Sequence, residues 1–442
     1  MGEIKAGATA RELAARAVVK VGADAGYSNI VMEKLLRESG LDSRDRTFAS
    51  AIVYGTLERM LTIDYMLEIC AGRSVGKLQP EVAGILRTAA YQLMYMDSVP
   101  ESAAVNEAVE LTRRMRAPRA AGFVNAVLRS LIRRGKRVEL DGLSGVKRLS
   151  VEYSCGAEAV EIYLGSLGEE RTRRFLADSL GKPPVFARVN PLKNRMDEFV
   201  AYCAARGVTA IPREDVPGCA ELRDGFDASG FEGRMHIQDL SSQLCALNLA
   251  ARPGMSVLDV CGAPGGKTFT IAEEMGDVGG VTVCDLHESR LRLIRAGAQR
   301  LGLVCVTAIQ NDATRPNPAL GRFDRVLCDV PCSGLGVIRR KPEIKYKKFD
   351  ENGSLADIQY KILETSSEYL KEGGRMIYST CTVNRAENEE VTERFLRRRP
   401  EFVPAEIFLP GGERARGHIT LLPEDHGSDG FFIAAFERRA GT

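Results

Sequence analysis

The 442-residue chain has no C-x-x-C pair, only four histidines and a formal net charge of just +2. It also lacks any apolar run near the roughly 20 residues that cross a bilayer. Each shortage excludes a class. Eleven cysteines, scattered from Cys70 to Cys381 without ligand spacing, form neither a disulfide framework nor a zinc ribbon, so a reducing cytoplasm is expected. His236, His287, His418 and His426 do not cluster with acids, and no metal site is expected. The stretch MGEIKAGATARELAARAVVK spreads its charges along a helical pattern with no small-residue cleavage site, so neither secretion nor membrane residence is expected. Near-zero net charge means that affinity for nucleic acid must come from local patches. Solenoid repeats and low-complexity segments are absent as well.

What is present is globular in balance, with 44% apolar and 27% charged residues. At about 150 residues per domain the length fits two to four domains. From Ala8 to about Arg134, apolar residues recur at three- and four-residue spacing, as in RTFASAIVYGTLERMLTIDYMLEIC. Breaks at Gly26, Gly40, GRSVGKLQP and Val99-Pro100 then predict a compact bundle of helices. Val151 to about Gly230 mixes a helical GEERTRRFLADSL with a strand-like FARVN and predicts a small α+β module. After Gln243 the candidates SVLDV, GGVTVCD, CVTAIQND, RVLCDV and RMIYST alternate with helical stretches, which predicts a doubly wound, mostly parallel sheet. The tail HITLLPEDHGSDGFFIAAFER predicts a closing hairpin.

Basic residues are uneven. Eleven lie between Arg113 and Arg148 against only Glu139 and Asp141, and a second run holds Arg339, Arg340, Lys341, Lys345, Lys347 and Lys348 against Glu343. Such stripes suit a phosphate-rich partner, the plain alternative being a solvated helix face.

VLDVCGAPGGKT, Val257 to Thr268, reads as a buried strand entering a glycine-rich turn and then a helix. Gly262, Gly265 and Gly266 allow a tight turn and close approach to a ligand, and the helix start offers unpaired amides. The spacing is neither G-x-G-x-x-G nor the Walker form, which disfavours dinucleotides and ATP. Asp285, ending the second strand, stands where a carboxylate binds ribose hydroxyls. Asp312, after the third, is placed to meet an adenine edge. An adenosine-containing cofactor fits all three strand ends.

Two more strand ends carry thiols. Asp329, Pro331 and Cys332 end the fourth strand candidate and Cys381 follows the fifth, at the carboxyl edge where open α/β sheets bind ligands. A pyrimidine C5 is too poor a nucleophile to accept a methyl group unaided. Thiolate addition at C6 makes it enamine-like, after which the C5 proton must be removed and the thiolate must leave. One cysteine can attack while another aids release, and Asp329 can hydrogen-bond the N3 and amino edge of the base. Methylation of an exocyclic amine would instead suggest an Asp/Asn-Pro-Pro-aromatic loop, whereas this loop reads DVPC. Cys261 and Cys328 are expected to be buried beside the site.

CGAPGGK, DVPCSGLGVIRRKPEIK and STCTVNRAENEE resemble the motifs of the RNA cytosine-C5 methyltransferases, which use S-adenosylmethionine (S-adenosyl-L-methionine). LDSRDRTFASAIVYGTLERMLTID, SAAVNEAVELTRR and GFVNAVLRSLIRR resemble an antitermination-factor (NusB-like) RNA-binding helical domain. The combination, covering nearly the whole chain, is similar to the bacterial 16S ribosomal RNA (rRNA) cytosine-C5 methyltransferases. The resemblance implies a multidomain chain: an all-α NusB-like bundle (1–140), a small α+β RNA-recognition-like module (150–235) and a Rossmann-like class I catalytic domain (236–442), with His236 to Leu244 at its start. It implies that Cys261, Gly262, Ala263, Pro264, Gly265, Gly266 and Lys267 form the cofactor loop, completed by Asp285, Asp312 and Asp329. It makes Cys381 the nucleophile and Cys332 the cysteine that helps release product.

Three departures stand out: Val330 replaces a usual alanine, Leu335 a common threonine and Tyr346 a common tryptophan, in a chain without any tryptophan. Tyr346 is expected to stack on a base with a smaller face. The expected substrate is a loop cytosine of 16S rRNA in free or partly assembled form, since flipping costs less outside a duplex. The same chemistry on transfer RNA and a non-catalytic RNA-binding factor are the alternatives, and an NAD-dependent oxidoreductase is disfavoured by Pro264 and the glycine spacing.

Overall fold

The structure is a computed structural model that describes residues 8–24, 28–224, 226–227, 230–349 and 354–441. The break expected at Gly26 lies outside the described residues. Two compact units are present: Met1–Leu164 with Gly168–Gly181 and Ile338–Phe349, and Gly165–Leu167 with Lys182–Val337 and Asp350–Thr442.

The first unit is helical, with helices at Ala10–Asp24, Ser28–Ser39, Ser43–Glu58, Met60–Ala71, Pro80–Tyr95, Glu101–Arg114 and Ala121–Arg133. Local chemistry sets their ends. Asp42 accepts the Asp45 amide at 2.8 Å and caps the third helix, Gly72 ends the fourth at φ 66°, and Pro80 begins the fifth. Apolar faces such as Ile85, Leu86, Ala89 and Leu93 meet Val105, Val124 and Leu128 in one core.

Helix Gly145–Tyr153 and most of the helical stretch Ala157–Asp178 cluster with this unit, whereas the sequence pattern puts the residues from Val151 onward in the small module. The reason is bonding to Met60–Ala71: Thr62 Oγ1 donates to the Val151 carbonyl at 2.6 Å, and the Leu61 amide donates to Ser154 Oγ at 2.9 Å.

Segment Ile338–Phe349 also folds into the helical unit, and this takes Lys345 out of the second basic stripe. Glu343 is buried, accepting the Ser28 amide at 3.1 Å and its hydroxyl at 2.8 Å. Lys345 is fully buried, with no hydrogen-bond partner at Nζ. Among the six basic residues of the run, Lys348 alone is exposed. Tyr346 is not free to stack on a base either. Its hydroxyl donates to the Leu57 carbonyl at 2.6 Å and lies 3.0 Å from Ser154 Oγ.

Burial lowers the Lys345 pKa to about 8, only partly opposed by Cys155 and Glu58. The unfolded lysine holds its proton to about pH 10.4, so below pH 8 the fold carries a desolvation cost of about 3 kcal/mol. That cost fades as pH rises from 8 past 10. Lys345→Met is therefore expected to be more stable than wild type at pH 7, with the gap closing by pH 10; urea denaturation of the full chain at both pH values checks this.

The second unit holds two sheets. The smaller has order β2-β3-β1-β4, all antiparallel, from β1 (Val185–Val189), β2 (Thr209–Pro212), β3 (Cys219–Arg223) and β4 (Met235–Ile237), with helix Met196–Ala204 against it. His236 thus lies in the small sheet, and the next helix, Leu240–Asn248, starts at Asp239, which accepts the Ser241 amide at 2.9 Å.

The larger sheet is built from β5 (Ser256–Asp259), β6 (Gly280–Asp285), β7 (Val306–Gln310), β8 (Phe323–Asp329), β9 (Leu370–Thr380), β10 (Phe402–Pro404), β13 (His418–Leu421) and β14 (Phe431–Arg438). A separate ribbon pairs β11 (Glu406–Phe408) with β12 (Arg414–Arg416). The main path runs β10-β14-β9-β8-β5-β6-β7. Strands β5 to β9 are parallel, and β14 closes antiparallel on β9 with β13 as its hairpin partner. Alternate residues feed opposite faces: Val257 and Leu327 enter one core, Leu258 and Val326 the other. Both faces are covered along β5, β6, β8 and β9, which is why these strands read as continuous apolar runs, whereas the edge strand β7 is largely accessible.

Chain order reverses at β5, with β6 on one side and β8 on the other, so the crevice beyond their carboxyl ends is the natural ligand site. The expected class of α/β architecture is present, as are the helical bundle and the closing hairpin. Among the described residues, no helix is long and apolar enough to cross a membrane.

Candidate functional site

The crevice is made by the ends of β5, β6, β8 and β9. The turn after β5 runs Val260 to Gly265 and enters helix Gly266–Glu274, with Gly265 at φ 115° and a cis bond between Ala263 and Pro264. Only glycine fits at 262, where an added Cβ would lie 2.3 Å from Val283 Cγ2 and 2.7 Å from Asp259 Oδ2. The Gly262 amide donates to the Cys284 carbonyl at 2.9 Å and ties the turn to β6. Arg290 clamps the same turn, donating to the Ala263 carbonyl at 2.7 Å and pairing with Asp285 at 3.0 Å.

Asp259 escaped the sequence reading. It is fully buried at the end of β5, with Oδ2 accepting the Thr268 hydroxyl at 2.7 Å and Oδ1 unpartnered. Burial raises its pKa to about 7, the Thr268 bond opposing and the Asp329 charge adding. The signal in the sequence was an acid ending an apolar strand directly before the glycine turn. This orphaned acceptor, the Asp285 carboxylate beyond it and the open glycine turn between them suit the amino and hydroxyl groups of S-adenosylmethionine.

Asp312 stands two residues past β7 and is partly exposed; its carboxylate accepts the Thr314 hydroxyl at 2.6 Å and amide at 3.0 Å, and these bonds lower its pKa. Cys328 is buried as expected, whereas Cys261 is partly accessible.

Asp329, at the end of β8, links the cofactor turn to the cysteines. Lys267 Nζ donates to its Oδ2 at 2.8 Å and the Ser379 hydroxyl to its Oδ1 at 2.8 Å. Burial works against the Lys267 charge, but Asp329 more than offsets it and raises the pKa. The ammonium also lies 4.9 Å from the centre of the Phe431 ring.

The two thiols meet. Cys332 Sγ, three residues past β8, is 3.2 Å from Cys381 Sγ, directly past β9, and both residues are partly accessible. Ser333 Oγ and Thr382 Oγ1 approach within 2.8 Å, and the Gly336 amide donates to the Cys381 carbonyl at 2.9 Å. The Cys332 pKa is raised well above its ordinary value by its hydrogen bond to Cys381, then by burial, then by the neighbouring Cys381 and Glu387 charges. The arrangement brings together a cofactor cradle, a positioned carboxylate and a close thiol pair. Among the described residues, no group of three His, Cys, Asp or Glu side chains could hold a metal ion.

Comparison with known proteins agrees with this geometry. The profile described as "16S rRNA methyltransferase RsmB/F" matches residues 246–437, and that of the NusB family matches residues 8–133. The chain is 36% identical to the probable ribosomal RNA small subunit methyltransferase B of Bacillus subtilis, over 97% of this chain and 98% of that one. It is 30% identical to the ribosomal RNA small subunit methyltransferase B of Vibrio cholerae, over 90% of each. Among solved structures it is similar to a methyltransferase homologue from Pyrococcus horikoshii, 27% identical with TM-score 0.59, over 67% of this chain and all of that one.

Proposed function

The chain belongs to the 16S rRNA methyltransferase RsmB/F family, and from that premise we propose that it methylates C5 of a cytosine in 16S rRNA through a transient bond from Cys381 to C6. The observation that carries the reading is the thiol pair, 3.2 Å apart and at the same crevice as the cofactor cradle. S-adenosylmethionine is the cofactor, and when bound it supplies an electrophilic methyl group.

The chain's own residues do the rest. A Cys332 S–H donating to the Cys381 sulfur supports Cys381 as the attacking anion, in keeping with the raised Cys332 pKa. Asp329, held by Lys267 and Ser379, presents an acceptor to the amino edge of the base. After methylation a solvent water takes the C5 proton, the C–H electrons re-form the C5–C6 double bond, and Cys381 leaves C6 as a thiolate, with the Cys332 S–H assisting by hydrogen-bonding the departing sulfur. Cys261 to Lys267, with Asp285 and Asp312, hold the cofactor.

The helical unit holds the RNA backbone. Ten of the eleven basic residues from Arg113 to Arg148 are exposed there. A loop cytosine in free or partly assembled rRNA suits this reading best, because extrusion is cheaper there. A cytoplasmic setting fits both an rRNA substrate and eleven cysteines without a disulfide. The test is transfer of labelled methyl groups to unmodified 16S rRNA followed by nucleoside digestion. Label is expected in 5-methylcytidine; label only in transfer RNA, or in another nucleoside, overturns the assignment.

A further inference from the structure

A buried carboxylate beside the thiol pair is left over by the chemistry above. Glu387 is 3% exposed, and both of its oxygens are engaged by N–H donors of the protein. Oε2 accepts the Ser333 amide at 2.9 Å and Gln359 Nε2 at 2.9 Å, while Oε1 accepts Asn384 Nδ2 at 3.0 Å. Gln359 Nε2 also donates to the Pro331 carbonyl at 2.9 Å. The residues on both sides of Cys332 are thus fastened to one Glu387–Gln359 assembly. Asn384 belongs to the loop of Cys381, and the Glu387 carbonyl accepts the hydroxyl of Tyr378 in β9.

We propose that Glu387 is a positioning residue that clamps the Cys332 loop onto the Cys381 loop, so that the release step depends on it far more than the attack step does. The inference rests on the two-cysteine reading above. Its asymmetry comes from the other anchors. Cys381 directly follows β9, is held through its carbonyl by the Gly336 amide, and precedes Thr382, whose carbonyl accepts Asn388 Nδ2 at 3.0 Å. Cys332 lies on a loop without regular structure that Ser333 Oγ and the Gly336 amide tie to the Cys381 loop on its far side, while the two flanking bonds to Gln359 and Glu387 hold the backbone directly before and after Cys332. Burying a carboxylate is costly, and three charge-assisted N–H bonds offset that cost. Glutamine cannot copy all three, because one end of its amide is a donor. It can keep Ser333 and Gln359 on its oxygen while the Asn384 amide turns over, at the loss of the bond Asn384 Oδ1 accepts from the Ala386 amide at 3.2 Å.

The experiment uses the full chain with S-adenosylmethionine and unmodified 16S rRNA, scoring turnover and denaturation-resistant protein–RNA adduct. With both cysteines present, Glu387→Ala is expected to turn over about a hundredfold more slowly and to accumulate adduct, as a displaced release group predicts. Glu387→Gln should recover turnover to within about tenfold of wild type. Wild-type turnover without adduct in Glu387→Ala overturns the proposal, as does loss of attack and release together in a folded protein that binds cofactor. If Glu387→Ala fails to fold, Gln359→Leu decides by the same readout, adduct supporting the clamp and its absence contradicting it. Cys332→Ala is the control. Adduct there but not in Glu387→Ala refutes the clamp alone, whereas no adduct in either refutes the covalent reading and the clamp with it.

Discussion

Cys381→Ala is expected to abolish methyl transfer, by on the order of 10⁴-fold or more, while leaving fold and cofactor affinity unchanged. The size follows from the substrate. Without a thiolate on C6, the cytosine C5 has no electron density to offer a methyl cation equivalent, and no other thiol replaces the missing one. Cys332 is next in distance at 3.2 Å, but with Cys381 gone burial and the Glu387 charge still hold its pKa up, and its different loop path makes it a poor attacker. Single-turnover methylation with labelled cofactor, alongside a cofactor-binding titration, separates lost chemistry from lost binding. Weakened binding would mean that the alanine has disturbed the crevice and not just the nucleophile.

Lys267→Met is expected to have the second largest effect, for an electrostatic reason. Lys267 is 12% exposed and bonds to Asp329, which is 28% exposed. Removing one partner of so enclosed a pair leaves the other charge uncompensated, at a cost of about 3 kcal/mol, the lower end of the usual range because Asp329 keeps some solvent. The stay between cofactor turn and base-facing carboxylate also goes, and methylation should fall about a hundredfold. The double variant Lys267→Met/Asp329→Leu separates the two effects. It should regain most of the stability in urea denaturation but none of the activity. Recovery of activity would show that Asp329 does not position the base.

Much of this site is legible because its residues sit at strand ends within short motifs. The glycine turn after Asp259, Asp285 at the end of β6, Asp329 and Cys332 after β8, and Cys381 after β9 are local patterns, and sheet topology gathers them without further information. The unread parts depend on partners far along the chain. Lys345 looks like one more base in a charged run, yet Ser28 binds its neighbour Glu343 across 315 positions and carries that segment into the helical unit. Tyr346 gives up its expected stacking role for a hydroxyl bond to Leu57, 289 positions away. The stretch Ala157–Asp178, two helical pieces broken at Gly168 (φ 76°), has only a weak apolar face, which does not say which core it joins. Glu387 lies inside a motif whose local signal is its cysteine, and its bonds to Ser333 and Gln359, both at 2.9 Å, bring together residues 54 and 28 positions apart.

The whole mechanism turns on Cys381 forming the bond to RNA. The most direct measurement is mass spectrometry of the peptide that stays crosslinked to 16S rRNA when Cys332→Ala protein reacts with S-adenosylmethionine and is then denatured and digested. The nucleotide is expected on the peptide containing Cys381, and the crosslink is expected to disappear from Cys332→Ala/Cys381→Ala. A crosslink on any other residue, or one that survives in the double variant, would contradict this mechanism.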